Sequence, residues 1–504
     1  MEELIKGIVH DLLFYQPARP MFYTGLAFWI AFTFFLGIYS FIYRKNRLRN
    51  IYLLVISWFI YFQMNGAFLS LLVFSCLANY VFGLLISKYR KKGWLFFSVT
   101  FNLLVLAYFK YAYFFTESLN QLFHTRLEVF NWLGWLINQT VKGLADTHSI
   151  LLPIGVSFYT FQAISYLVDV SRRNVEAVRN PLDFSFYLSF FPQLVAGPIV
   201  RAASFIPQLY QNFQLSKEEF SHGVFLITKG LTKKMMIADF LALNFIDRVF
   251  EAPLSFSGLE NLLAVYAYSV QIYCDFSGYT DIAIGLARIL GFRLPVNFNS
   301  PYQATSLTDF WHRWHISLSL WLKDYLYIPL GGNRNGKFRT RINLLITMLL
   351  GGLWHGANIR FMIWGAIHGT ALVAEKTFGT FKIDTGSGKW KRFLSILVTF
   401  QIVSFAWIFF RAKDQQVIFQ LFYQLRHHFL PRVNLADLQA YLPTIGVFLC
   451  GLILIWFPYR YKEKIRGCFI RLPLAVQAII ILLTLLGISA VAGSGLQPFI
   501  YFRF

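Results

Sequence analysis

Charge is what this chain has least of. Asp, Glu, Lys and Arg supply only 14% of its 504 residues, about half the share of an ordinary soluble domain. Together with 57% hydrophobic residues and a mean hydropathy of +0.52, that excludes a soluble globular enzyme. Polar stretches long enough for a separate domain are also missing. The longest, near 116–148 and 412–440, remain rich in Phe, Leu and Trp and read as short caps on a membrane body. Acidic residues are scarcer still, 24 against 46 basic, for a net charge of +22. Nucleic acid is not the reason, because the basic residues fall in short clusters between apolar runs, the pattern of the positive-inside rule. Anionic lipid headgroups or an acidic donor suit that charge better. Cysteine is nearly absent. Cys76, Cys274, Cys450 and Cys468 form no CxxC or metal-type spacing, and three of them lie in apolar runs, so free, buried thiols are expected. The start of the chain lacks the basic region of a cleavable leader and carries Glu2, Glu3 and Asp11. GxSxG, HExxH, P-loop and GxGxxG motifs do not occur, which removes the sequence signals for a serine hydrolase, a zincin, an ATPase and a dinucleotide enzyme.

What is present is a succession of apolar runs. Positions 21–43, 51–63, 67–87, 93–116, 149–169, 235–250, 258–290, 342–358, 361–378, 393–410, 442–458 and 474–492 read as spans. The fold class is therefore all-α: a polytopic membrane protein of about 11–12 transmembrane helices. Segments 182–200 and 305–330 are apolar but interrupted by Pro192 and Pro198 in the first and ended by Pro329 in the second, and read as re-entrant or interfacial. Basic clusters at 44–49, 88–92, 172–173, 229–234, 334–341, 389–392 and 460–471 are consistent with cytoplasmic loops and with both termini outside. The whole chain, 1–504, reads as one membrane domain.

The chemistry-bearing residues concentrate in 305–328, TSLTDFWHRWHISLSLWLKDYLYI, and in GGLWHGA at 351–357. Ionisable groups inside membrane segments are costly and mark sites or pathways. Read as one helix, the first segment puts His312 and His315 on a shared face with Ser319 one turn on, pairs Asp309 with Arg313, and aligns Trp314 with Trp321. An interfacial aromatic belt explains the Trp residues and Lys323 equally well. His355 follows Trp354 and stands between glycines. Its imidazole, with an ordinary pKa of about 6.5, is suited to take a proton from a hydroxyl; a packing histidine is the other reading, and a structural role is expected for His368. Asp275 and Asp281 lie on a long apolar run, with Arg288 seven residues past Asp281; they read as a tunnel wall or a buried ion pair. Gln193 sits between helix breakers. Although His312, His315 and Asp309 have helical ligand spacing, a fourth ligand is missing, and no metal is expected.

Five motifs tie these segments together: PIGVSFYTFQ from Pro153, FFPQLVAGPIVR from Phe190, YCDFSGYTDIAIG from Tyr273, NSPYQATSLTDFWHRWHISLSLWLKDYLYIPLGGNR from Asn299, and GGLWHGA from Gly351. In this combination the chain resembles the membrane-bound O-acyltransferase (MBOAT) family, in its bacterial polysaccharide O-acetyltransferase branch, the alginate O-acetylation kind. The resemblance covers most of 150–370, the expected catalytic core. It implies a helical bundle around a tunnel, His355 as catalytic histidine and His315 as the second functional histidine. Asp309, His312, Arg313, Ser319, Trp354, Asp275, Asp281, Gln193 and His368 are supporting or tunnel-lining candidates. His312 departs from the family pattern, which has Arg in that place.

The activity so implied is acyl transfer, acetyl first, from a cytoplasmic thioester toward hydroxyls of an extracytoplasmic polysaccharide. Acetyl-CoA or a phosphopantetheinyl acyl carrier would be the donor, with no bound cofactor. An SGNH-type O-acetyltransferase outside the membrane is the expected partner, and the bacterial inner membrane the expected location. D-alanyl transfer from a carrier protein toward teichoic acid is the alternative within the family. A proton-coupled transporter or flippase is the alternative outside it, and it lacks the paired broken helices such a reading needs. The topology makes 331–341 cytoplasmic. An impermeant thiol reagent is expected to leave Asn335→Cys unlabelled in intact cells and to label it after permeabilisation; labelling from outside overturns the arrangement.

Overall fold

A computed structural model describes residues 14–17, 20–140, 146–147, 149–379, 388–430 and 435–491. Both chain ends lie outside the described residues, so the expected placement of the termini falls there too. Among the described residues the protein is helical, with no strand. Five stretches among the described residues are long and apolar enough to cross a bilayer: Asn46–Tyr89, Lys92–Phe123, Lys389–Arg411, Gln439–Trp456 and Leu474–Val491. Leu26–Ile42 is a shorter apolar helix beside them. Their outward faces expose Phe41, Phe96, Leu104 and Leu483. Water would drive such surfaces to associate, whereas acyl chains solvate them.

Two of the other apolar runs are buried mostly by the bundle itself, whereas Gly336–His355 and Ile359–Phe378 are buried only in part. Val156–Ser171 is buried at every position except Val168 and Ser171. Gly258–Ile289 is the central helix. It starts at a capping box in which Ser257 Oγ accepts from the Glu260 N–H and the Glu260 carboxylate accepts from the Ser257 N–H. Ala267–Thr280 is buried without interruption, as an apolar helix with no solvent face must be. Lys217–Leu231 runs antiparallel to it, with Gly223 opposite Gly285 and Gly230 opposite Gly278. A Cβ on Gly230 would stand 2.5 Å from the Gly278 carbonyl oxygen, and one on Gly285 would stand 2.6 Å from that of Gly223.

Past Leu231 the helix widens to π pitch over Thr232–Asp239 and turns Lys233 and Lys234 toward the central helix. Lys234 bridges Asp239 at 2.7 Å and Asp275 at 2.5 Å, while Asp281 takes Lys233 at 2.7 Å and Lys229 at 2.9 Å. The expected Asp281–Arg288 pair is not formed, and Arg288 binds Glu219 at 2.5 Å instead. Seven residues along a helix separate two side chains by about 10 Å, so charges on the neighbouring helix are nearer to both. Asp275 likewise belongs to this ion network. Arg466 Nη1 stands 3.3 Å from His222 Nε2, which brings the 460–471 basic cluster beside the helix that leads into 229–234.

Both interrupted segments are broken; the first is packed in protein, and the second is buried in part over 307–322 and at no position of Lys323–Tyr327. The first divides into Pro181–Ser189 and Phe191–Ala196, the second into Leu307–Arg313, Ile316–Leu322 and the π-helical Lys323–Tyr327. All four cysteines are free, but only Cys76 and Cys274 are buried. Cys450 is exposed because an apolar run on the rim of a membrane bundle faces outward, and Cys468 because it lies on the basic helix Tyr459–Arg471.

The glycine contacts set a stability test. Gly230→Ala should cost about 1–3 kcal/mol by overpacking and lower the thermal unfolding temperature in detergent. Gly93→Ala, whose Cβ meets nothing within 4 Å, should not.

Candidate active site

The Gly336–His355 helix packs its Gly351–Gly352 end against Ile359–Phe378. A Cβ on Gly352 would collide with the Phe361 carbonyl, and one on Gly356 with the Phe361 ring. The small residues beside His355 therefore admit a neighbouring backbone at Gly352 and a neighbouring ring at Gly356. His355 is buried, ring to ring with Trp354 and Trp364 at 5.0 Å each and with Phe410 at 5.3 Å. A helix ending here leaves carbonyls without partners. The Lys92–Phe123 helix supplies them: Tyr111 Oη donates to Leu353 O at 2.9 Å, and Lys110 Nζ donates to Trp354 O at 2.5 Å and His355 O at 3.2 Å. Lys110 is the only charged residue between 93 and 116.

His355, Trp354 and Lys110 line a cavity of about 80 Å³ together with residues 152–158. Gly155 makes that wall possible. Its φ of +80° opens the Val156–Ser171 helix in a left-handed conformation, and a Cβ there would stand 2.7 Å from the Leu194 carbonyl oxygen. Ser157 Oγ lies 3.4 Å from Lys110 Nζ.

His315 is placed by a different geometry from the one expected, next to Phe158 and Trp354 and not among the residues that line the cavity. The 305–328 segment is not one helix. Trp314 is extended and His315 is left-handed, with φ +42° and ψ +55°, between Leu307–Arg313 and Ile316–Leu322. A left-handed histidine is uncommon and persists only where its surroundings hold it. Asn297 is the clamp: its backbone O accepts from Ile316 N at 2.9 Å, and its Oδ1 accepts from Ser317 N at 3.1 Å and Ser317 Oγ at 2.8 Å. A backbone N–H can only donate, so the atom facing it is the amide oxygen. His315 Nδ1, 3.2 Å from that oxygen, therefore carries the proton, and Nε2 presents a lone pair. Nε2 has no protein partner among the described residues.

The break undoes the shared faces. His315 is fully buried and His312 is exposed. Ser319 turns to the Trp314 carbonyl at 3.2 Å; Ser317 holds the place near His315. Trp314 packs on Phe310, Phe298 and Trp407, whereas Trp321 stacks on Phe161 at 3.8 Å in a separate aromatic cluster with Phe158 and Trp354. Asp309 and Arg313 form the expected pair at 2.6 Å, but Asp309 also accepts from Thr305 N at 3.1 Å and serves its own helix end. Trp354 joins the two histidines, with ring centroids 5.0 Å from His355 and 6.2 Å from His315. His368 sits behind Trp364, 4.9 Å away, with neither ring nitrogen bonded to protein among the described residues. Gln193 donates to Tyr187 O at 2.5 Å and does not line the cavity, nor does Asp275. Sequence reasoning missed Asn297, Ser317, Tyr111 and Lys110. Only Lys110 carried a signal, as a lone charge on an apolar span.

Residues 91–413 match the membrane-bound O-acyltransferase family. The chain is also 37% identical to the probable alginate O-acetylase AlgI of Pseudomonas putida, over 96% of this chain and 100% of that protein. The chain belongs to the MBOAT family. It is 38% identical to the peptidoglycan O-acetyltransferase of Helicobacter pylori over 74% of this chain and 73% of that protein. Similarity to the teichoic acid D-alanyltransferase of Bacillus subtilis is lower, 29% over 53% of this chain and 70% of that protein. The protein is thus a multi-pass membrane acyltransferase.

The two histidines and their neighbour at 312 should separate under mutation. His355→Ala is expected to abolish acyl transfer with detergent stability near wild type, and His315→Ala to lose at least tenfold, about 1.4 kcal/mol. His312→Arg, on an exposed position, should keep most activity. Initial rates of the purified variants check all three; a dead His312→Arg beside an active His315→Ala reverses the assignment.

Proposed function

We propose that this MBOAT chain moves acetyl from a cytoplasmic thioester toward hydroxyls of an extracytoplasmic polysaccharide. The carrying observation is a buried histidine on the wall of a small cavity, in a chain whose high-coverage relatives are named for O-acetylation of alginate and of peptidoglycan. His355 is the general base. It takes the proton of the attacking hydroxyl as that oxygen bonds to the thioester carbonyl carbon, and returns it to the departing sulfur. His315, with Nδ1–H committed to Asn297, offers only a lone pair at Nε2. That suits an acceptor that orients a donor group of the substrate, and rules it out, while neutral, as a donor to the developing oxyanion.

In this reading acetyl-CoA or a phosphopantetheinyl carrier approaches from the cytoplasmic side, drawn by the basic loops. Chain 1–504 acts as one domain in the bacterial inner membrane with its core at about 150–370, and an SGNH-type transferase outside receives or relays the acetyl group. In inverted membrane vesicles supplied with labelled acetyl-CoA, label should pass into envelope polysaccharide as a base-labile ester. Ester formation only from a D-alanyl carrier protein would make the chain a D-alanyltransferase. Ester formation from neither donor would remove acyl transfer altogether.

A further inference from the structure

The proposed reaction needs a group that donates to the oxyanion, and neutral His315, with its Nδ1–H held by Asn297, is not that group. Acyl transfer from a thioester passes through a tetrahedral species whose carbonyl oxygen becomes negative, and preorganised donors to that oxygen are a large part of catalysis. The cavity beside His355 offers one side-chain hydroxyl, Ser157.

Its surroundings dictate where its proton points. Lys110 has three N–H groups and no acceptor. Two of them are used by Trp354 O at 2.5 Å and His355 O at 3.2 Å, and the ammonium stands 3.4 Å from Ser157 Oγ. As an ammonium Lys110 can only donate here, so in that protonation state the serine oxygen is the acceptor. The hydroxyl proton itself goes to no protein acceptor among the described residues. Ser157 is 9% exposed, and the open space it faces is the cavity it shares with His355. A hydroxyl that accepts from an ammonium is polarised and becomes a stronger donor. It also sits in the first turn of the Val156–Ser171 helix, the end whose dipole favours nearby negative charge.

We propose that Ser157 is a further catalytic residue, donating its hydroxyl proton to the acyl carbonyl oxygen as it becomes an oxyanion. Lys110 is a positioning residue that polarises this hydroxyl and anchors the helix end bearing His355. The inference rests on the acyl-transfer reading above. The hydroxyl oxygen of the acceptor bonds to the carbonyl carbon while His355 takes its proton. The oxyanion is held by Ser157 O–H. The carbon–sulfur bond then breaks, and the sulfur receives the proton from His355. No oxidant or further reactant is required.

The test is steady-state kinetics in inverted membrane vesicles of the native host, with labelled acetyl-CoA as probe and His355→Ala vesicles as background. Ser157→Ala removes one buried oxygen and should unfold at the wild-type temperature. It is expected to lower kcat about 100-fold while KM for acetyl-CoA stays within about twofold. Ser157→Thr, which restores the hydroxyl, should recover a large part of kcat. Lys110→Met should lose at least as much as Ser157→Ala, and adding Ser157→Ala to it should cost little more, because the two act through one hydroxyl. A Ser157→Ala protein with kcat within about twofold of wild type, or with its whole loss in KM, overturns the proposal even if Lys110→Met fails to fold. Wild-type vesicles that form no ester from acetyl-CoA overturn the acetyl-transfer reading, and this inference with it.

Discussion

The candidate site depends on how one helix is finished away from water. The Gly336–His355 helix stops inside the bundle, where an unbonded carbonyl is costly. Three successive carbonyls, those of Leu353, Trp354 and His355, are taken by two adjacent side chains, Tyr111 and Lys110. An α-helical continuation would have satisfied the same oxygens with backbone N–H groups, but would have carried the chain past the cavity. Ending it against Lys110 leaves His355 as the last helical residue, on the cavity wall, with a cation fixed beside it.

The second histidine is placed by the opposite device, a break in the middle of an apolar segment. A continuous helix from 305 to 328 would have aligned His312 with His315. The left-handed backbone at His315 instead separates them, one to the surface and one to the interior. Asn297 makes the break tolerable by accepting the N–H groups of residues 316 and 317, and the same side chain sets the tautomer of His315. The strain of an unfavourable φ and the orientation of the His315 ring thus have one support.

Around these two placements the bundle is rigid for reasons of its own. The central helix is pinned to its antiparallel neighbour by backbone contacts at paired glycines, and by the network of Lys229, Lys233 and Lys234 with Asp275, Asp281 and Asp239. Buried charges of this kind contribute little net stability, but removing one partner strands the other. Phe276, one residue from Asp275, then meets the His315 ring edge-on at 4.6 Å, so the register of the central helix reaches the site directly.

Composition and hydropathy by themselves determined that the solvent is lipid and the secondary structure helical, since a chain in hydrocarbon must close its backbone hydrogen bonds within each segment. Local motifs also carried the family resemblance and drew attention to His355 and His315, whose flanking residues are close in sequence. The Asp309–Arg313 pair was legible because four residues make one helical turn. The shared face of His312 and His315 was not, because the clamp that breaks that helix, Asn297, lies 20 positions from the Ser317 it holds. Asp281 and Arg288 likewise took partners from another helix. Lys110 and His355 are 245 positions apart, and no periodicity or spacing connects them. Only tertiary packing could bring an ammonium, a serine hydroxyl and an imidazole to one cavity, because hydrogen bonds act over about 3 Å, while local sequence patterns reach no further than a few turns of the helix that carries them.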